Sequence, residues 1–282
     1  MAGGWQVCSS QHCQQSVVVI KMALKPDIRA YKKWGQNFIT DPALLDKLVR
    51  TVKPQSDDVM VEIGPGSGAL TRLFVPRVKQ FHAVEIDERM DEFLAPIHTE
   101  HESFSYEFMD FQKWSPPEEF GPFRVIGNIP YYITSPLILK LLKQPDVLRD
   151  AHLLMQKEVG KRLVAPHGSK QYGILSVYAA LFAQTEYLFD ISRNVFRPIP
   201  EVDSCFVRFS FPGQLQLGTR QTETLRRIIR TAFNQRRKTL RNSLKELIGD
   251  HANLENRFDL GLRPEQLSPR QFLELTALYL DR

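Results

Sequence analysis

Asn128-Ile129-Pro130-Tyr131 closes a short β-rich run, 123–127, and brings together groups suited to one kind of chemistry. An exocyclic aromatic amine is a poor nucleophile, because its lone pair is delocalised into the ring. Two aligned hydrogen-bond acceptors that bind its N–H groups favour a more pyramidal and more reactive nitrogen. The Asn128 side-chain oxygen and a backbone carbonyl in the region of Pro130 could supply them. Proline fixes the backbone and removes a competing donor, while Tyr131 offers a π face on which a base can stack. With a neutral thioether as leaving group no strong general base is needed, so positioning and electrostatics at the reacting nitrogen carry the reaction. By itself, Asn-x-Pro-Tyr is also an ordinary turn after a strand.

Such a group needs a donor site beside it. Val59–Ile63 runs into Gly64-Pro65-Gly66-Ser67-Gly68, with a helix expected from Ser67. Gly64-x-Gly66-x-x-Ala69 fits the dinucleotide fingerprint, and Gly64-x-Gly66-x-Gly68 fits the tighter loop of S-adenosylmethionine (AdoMet) methyltransferases. The loop alone fits both, and a plain tight βα turn as well. Glu85 lies 21 residues after Gly64, at the end of the next β-rich run, where a carboxylate can accept both ribose hydroxyls. Asp110 ends the run after that and can accept an adenine amine, although a lone Asp there is most often a helix cap. Together the loop, Glu85 and Asp110 read as an adenosine site, because ligands of open α/β sheets collect at the carboxyl ends of strands.

The elements that must hold these residues follow from periodicity. Strands are expected at 59–63, 80–86, 104–109, 123–127 and 151–156, with helical stretches between most of them, so βαβ units and a parallel sheet follow. The runs 185–191 and 204–211 are joined only by Pro-rich irregular chain, too short for a crossover helix, and suit an antiparallel pair at one edge. From Thr219 the pattern is helical only, with Gly213 and Gly218 marking a linker. The division expected is a disordered leader over 1–21 with Met22 as a possible true start, an α/β domain over 22–212, a linker over 213–218 and a helical domain over 219–282. No internal repeat is visible.

Composition narrows the class. The chain has 282 residues, 43% hydrophobic and 24% charged, in the ordinary globular range. No apolar run reaches the roughly 18 residues of a membrane span, and Cys8, Cys13 and Cys205 are too few for a disulfide framework or a four-ligand zinc site. A cytoplasmic, reducing setting, no metal and no membrane partner are expected. The net charge is +5, but between Arg220 and Lys245 nine basic residues face one acid, so this segment carries +8 and the remainder −3. Apolar residues recur there at helical spacing and leave Arg226, Arg230, Arg236, Arg237, Lys238 and Arg241 on a basic helical surface. A charge run is usually a solvated face; the near absence of acids, and Arg's fit to phosphate, tip this one towards nucleic acid.

With these segments in view, the chain resembles the KsgA-type ribosomal RNA adenine N6,N6-dimethyltransferases. The resemblance rests on Gly35-Gln36-Asn37-Phe38, Glu62-Ile63-Gly64-Pro65-Gly66, Glu85-Ile86-Asp87, Gly127-Asn128-Ile129-Pro130-Tyr131, Gln156-Lys157-Glu158, the Phe196 to Ser204 segment and Phe233-Asn234-Gln235-Arg236-Arg237-Lys238. It spans about residue 30 to the end, while residues 1–21 have no counterpart. It implies a Rossmann-like AdoMet-dependent methyltransferase with a mixed, mostly parallel seven-stranded sheet and a small all-α C-terminal domain. It further implies dimethylation of two adjacent adenines in the 3′-terminal hairpin of small-subunit ribosomal RNA. By motif, Asn37, Ile39, Gly64, Glu85, Asp110 and Asn128 would line the AdoMet site, with Gly35 to Phe38 folding over it. Asn128, Pro130 and Tyr131 would hold the acceptor amine, Phe196 would sandwich the adenine from the other side, and the Arg226 to Arg241 surface would grip RNA. Immature small subunits are the expected partner and a monomer the expected state. The competing readings are a resistance-type methyltransferase acting on large-subunit RNA, a mitochondrial relative, an NAD-dependent oxidoreductase using the same glycine loop, and a non-catalytic ribosome-assembly factor.

Overall fold

The computed structural model describes residues 36–281 apart from 145, 212–214, 216, 250–253 and 255; the leader over 1–21, Gly35 and Gly213 fall outside the described residues. The β-rich runs become β1 (Phe38–Ile39), β2 (Val59–Ile63), β3 (Gln80–Glu85), β4 (Phe104–Phe108), β5 (Phe123–Asn128), β6 (Leu148–Gln156), β7 (Gln184–Ile191), β8 (Phe196–Arg197) and β9 (Ser204–Ser210). Seven of them form one sheet in the order β4-β3-β2-β5-β6-β9-β7. The first five are parallel, and β9 runs antiparallel to both β6 and β7. The expected mixed edge is therefore there, with β9 inserted between the parallel block and β7.

The central strands read as near-continuous apolar runs because both faces are covered. Along β2, Met60 belongs to one hydrophobic cluster and Val61 to the other, and Leu153 and Leu154 of β6 divide the same way. Helices fill both sides: α1 (Pro42–Val52), α2 (Thr71–Phe74), α3 (Asp91–Glu100), α4 (Thr134–Leu141), α5 (Lys157–Leu163), α6 (Ile174–Phe182), α7 (Thr219–Asn234), α8 (Leu240–Ser243), α9 (Lys245–Ile248) and α10 (Pro269–Leu280). Asp41 starts α1 by accepting from the Ala43 and Leu44 amides at 2.8 and 3.1 Å, and Leu44, Leu45, Leu48 and Val52 form its buried stripe. The buried stripe of α7, Leu225, Ile228, Ile229 and Ala232, packs with Phe272 and Leu275 of α10 and Val177 of α6. That cluster continues under the sheet, so the helical C-terminal segment shares the core of the α/β part.

Two local expectations change. The helix foreseen from Ser67 begins at Thr71, because Gly66 and Gly68 hold φ of +53° and +75°, incompatible with a right-handed helix, and Gly66–Leu70 form turns instead. A second, two-residue ladder pairs β1 with β8, Phe38 opposite Arg197 and Ile39 opposite Phe196. Two residues carry no periodicity, so this pairing has no sequence signature.

At the amino ends of the strands one guanidinium gathers several segments. Arg124 of β5, 6% exposed, donates from Nη1 to Asp58 Oδ2 at 2.7 Å and in a fork from Nε and Nη2 to the two Asp150 oxygens at 2.9 Å each. Its Nη2 also reaches the Val52 carbonyl at the end of α1, at 2.8 Å. Burial raises the Asp150 carboxyl, but His152 and Arg124 more than offset it, leaving a pKa of about 2. Removing one partner of such a set strands a buried charge. Arg124→Leu is expected to cost about 3 kcal/mol or more, read as a lower urea midpoint with an unchanged slope.

Candidate active site

The carboxyl ends of β2 to β5 open into a cleft of about 230 Å³ whose lining takes in Gly64, Gly66, Glu85, Asp110 and Asn128. Gly64, Gly66 and Gly68 all have positive φ, which bends the chain sharply at the end of β2. Glu85, 4% exposed, holds this bend: its Oε2 accepts from the Gly66 amide at 3.0 Å, and its Oε1 from Ile86 and Asp87 at 2.9 and 3.0 Å. Burial pushes the Glu85 carboxyl up while the three amides pull against it. With one donor on Oε2, the carboxylate keeps capacity to accept a hydroxyl. Asp110 caps a turn through Oδ1, which accepts from Gln112 at 2.9 Å, yet it also lines the cleft. The capping and ligand readings thus hold at once.

Residues 36–39 are drawn across this cleft. The Gln36 amide donates to Asp87 Oδ2 at 2.8 Å, the β1–β8 ladder fixes Phe38 and Ile39, and Asn128 Nδ2 donates to the Asn37 carbonyl at 2.7 Å. Phe38 lies so close on the glycine loop that a Cβ on Gly66 would come within 2.8 Å of its ring. Asn37 and Ile39 both line the cleft.

The acceptor end changes in one respect. The Pro130 carbonyl already accepts from the Ile133 amide and the Thr134 hydroxyl, both at 3.2 Å, so it is engaged in starting α4. The Ile129 carbonyl, by contrast, has no donor among the described residues, and Ile129 lines the cleft. Beside Asn128, the Ile129 carbonyl thus keeps its capacity to accept a donor from the cleft, and Pro130 fixes the backbone that follows it. Because Asn128 donates its Nδ2 to Asn37, the other end of its amide, Oδ1, is the acceptor. Tyr131 is half-buried and its hydroxyl is tied to Ser204 Oγ at 2.9 Å, which orients the ring. Tyr132, 53% exposed, also lines the cleft, and the Asp110 and Glu85 carboxylates add to the burial that raises its phenol.

The structure buries Phe196. It is 1% exposed, packs in the core cluster with Ile39 and Phe206, and does not line the cleft. The flanking prolines made it look like a loop aromatic, but the β1–β8 pairing turns it inward. Its observed contribution is to anchor Ile39.

Glu62 had no role assigned from sequence beyond its motif. It is 1% exposed, lines the cleft, and accepts from Thr71 Oγ1 at 2.5 Å. Burial pushes its carboxyl up to about 8, with Glu85 adding to the rise and Thr71 opposing it. The available signal was an acid in the apolar run Val59-Met60-Val61-Glu62-Ile63. Since the folded pKa exceeds the unfolded one, the neutral carboxyl costs nothing below about pH 4.5, and stability is lost progressively as the pH rises towards 8. Glu62→Gln is neutral throughout. Relative to wild type it should gain stability by roughly a few kcal/mol between pH 5 and pH 8 in urea titrations.

Most of the basic residues singled out between Arg226 and Arg241 lie at the surface. Arg226 and Arg230 are exposed on α7; Arg237 and Lys238 are exposed on the turn after it, not on a helix, and Arg241 is exposed on α8. Arg236 departs: its Nη2 donates to the Ser169 carbonyl at 3.2 Å and its Nε lies 3.8 Å from Glu265 Oε2, so it is engaged with protein. Among the described residues no helix is long and apolar enough to cross a membrane, and no cluster of His, Cys, Asp and Glu has the makings of a metal site.

The cleft fits a cationic adenosine cofactor: acids end β3 and follow β4, the glycine bend lets the backbone approach, and burial of Glu85 and Glu62 favours a positive ligand. The model of the family described as ribosomal RNA adenine dimethylase matches residues 28–279. The chain is 36% identical over 266 residues to the ribosomal RNA small subunit methyltransferase A of Marinobacter nauticus, covering 92% of this chain and 95% of that one. To the protein of the same name from Chlorobium phaeobacteroides it is 43% identical over 251 residues, covering 88% and 93%. Among solved structures, a dimethyladenosine transferase from Plasmodium falciparum superposes with a TM-score of 0.70 at 26% identity, covering 84% of this chain and 95% of that one. The 23S rRNA methyltransferase ErmE gives 0.65 at 25%, covering 87% and 100%. With a Rossmann-like methyltransferase sheet, an AdoMet-type cleft and a family match over almost its whole length, the chain belongs to the ribosomal RNA adenine dimethylases, an AdoMet-dependent methyltransferase family.

Proposed function

We propose that the protein dimethylates the N6 amines of two adjacent adenines in the 3′-terminal hairpin of small-subunit ribosomal RNA, as a step of small-subunit biogenesis. The observation that carries the site reading is the pair of acceptors at Asn128 and Ile129 on the rim of the cofactor cleft. The cofactor, when bound, would supply an electrophilic methyl group with a neutral thioether as leaving group. Asn128 Oδ1 and the Ile129 carbonyl accept the two amine hydrogens and hold the nitrogen lone pair towards the cleft. Tyr131, oriented by Ser204, stacks on the base. Glu85 and Asp110 would hold the ribose and adenine of the cofactor, Gly64 would allow close approach, and Asn37 and Ile39 would cover it. The proton of the methylated amine passes to solvent.

Residues 219–282 form the RNA-binding part on this reading, with Arg226, Arg230, Arg237, Lys238 and Arg241 on phosphates. The protein works as a monomer in a reducing cytoplasm. The buried thiol of Cys205, pushed up to about 12 by burial, suits that setting.

Small subunits lacking the modification, incubated with labelled AdoMet beside large subunits, should yield dimethyladenosine in the small subunit alone, with nucleosides identified by mass. Label confined to the large subunit would instead favour the reading suggested by the likeness to the 23S rRNA methyltransferase. Asn128→Ala should lower transfer by about a hundredfold or more while changing the AdoMet dissociation constant far less; normal turnover would refute the acceptor assignment. Arg237→Ala with Lys238→Ala should weaken RNA binding and reduce its salt slope by about two.

A further inference from the structure

We infer that Arg236 is a positioning residue, a clasp that locks the helical C-terminal segment to the loop after α5 and so sets the basic surface at a fixed place relative to the cleft. The inference rests on the proposed function for its turnover readouts alone. Two contacts join these two stretches of chain, and a third ties Arg236 to Glu265 within the helical segment. Arg236 Nη2 donates to the Ser169 carbonyl at 3.2 Å, Arg236 Nε lies 3.8 Å from Glu265 Oε2, and the Gly168 amide donates to the Glu265 carbonyl at 2.6 Å. Glu265 Oε2 is buried with no hydrogen-bond donor, so the Arg236 charge is what compensates it. Beneath these groups the ring of Tyr172, 1% exposed, lies 6.0 Å from that of Phe233, which in turn stacks on Phe272 of α10 at 5.9 Å. Polar contacts and a tilted aromatic pair, Tyr172 with Phe233, thus join the two segments.

The two sides of this junction lead directly to the two working surfaces. On one side, the loop over 164–173 follows α5, which leaves β6 at Gln156, and Gln156 pairs with Ser204, the residue that orients Tyr131. On the other side, the turn after α7 is closed by the Lys238 amide donating to the Gln235 carbonyl at 2.8 Å, and it carries the exposed Arg237 and Lys238. Holding Arg236 therefore holds its neighbours against the frame that carries the acceptor site. A residue spent on this contact is not a phosphate ligand, although it sits in the most basic run of the chain.

The test compares Arg236→Ala, Arg237→Ala and Glu265→Ala at a temperature where all three are folded by thermal melt. For ribosomal RNA binding, Arg237→Ala should lower the salt slope by about one, while Arg236→Ala leaves it unchanged. On small subunits, Arg237→Ala should chiefly raise KM, whereas Arg236→Ala and Glu265→Ala should both lower kcat by about tenfold. Agreement of those two is diagnostic, since removing an acid would help RNA binding if only net charge mattered. Exchange of the Gly168 amide should speed up in both and not in Arg237→Ala. A salt slope lowered by about one in Arg236→Ala, with Glu265→Ala at wild-type turnover, would overturn the clasp and make Arg236 an RNA contact. If wild type methylates neither subunit, the proposed function fails, and the salt slopes and amide exchange still decide the clasp.

Discussion

The donor half of the site depends on one buried carboxylate. Glu85 accepts three backbone N–H groups, one of them from the glycine bend, and so ties the end of β3 to the end of β2 at the point where the cleft opens. Backbone donors in a buried setting must be paired, and a carboxylate satisfies several at once. The cost appears in its raised pKa and in that of Glu62, the neighbour whose proton is retained. Two acids this deeply buried would be an odd choice for stability alone. They make sense around a ligand that brings positive charge with it.

The acceptor half is set by hydrogen bonds spent elsewhere. Pro130 uses its carbonyl to begin α4, Tyr131 uses its hydroxyl on Ser204, and Asn128 uses its amide nitrogen on Asn37. What remains, Asn128 Oδ1 and the Ile129 carbonyl, is what the proposed methyl transfer would need. The segment over 36–39 touches both halves, since it lines the cofactor cleft and fixes the Asn128 side-chain amide.

Much of this was legible in the sequence because the relevant signals are local. Apolar runs of strand length, glycines at a strand end and acids at successive strand ends report backbone geometry and edge position directly. Glu85, Asp110 and Asn128 stand where that reasoning puts them. What was illegible depends on distant partners. Whether Pro130 or Ile129 has the open carbonyl turns on which of them a downstream amide captures. Phe196 looked like an aromatic on a Pro-rich loop, and only its pairing with Ile39 shows it to be buried. Arg236, Arg237 and Lys238 are indistinguishable as a basic run until Ser169 and Glu265 engage the first of them. Helical periodicity likewise could not reveal that the C-terminal helices share a core with the α/β part.

On the proposed function, the Asn128–Asn37 hydrogen bond would also decide which bases the pocket can tolerate. An asparagine amide is nearly symmetric in shape, and turned over it would offer a donor where the reaction needs an acceptor. Engagement of the nitrogen by a main-chain carbonyl removes that ambiguity, so both faces offered to the incoming base are oxygen lone pairs. A base presenting an amine there finds two partners, whereas one presenting a carbonyl, as hypoxanthine does in place of adenine, meets oxygen against oxygen. Rejection by unpaired and mutually repelling polar groups is far stronger than rejection by fit alone. On that function, the fixed polarity of one side chain would screen substrates by functional group before any chemistry begins.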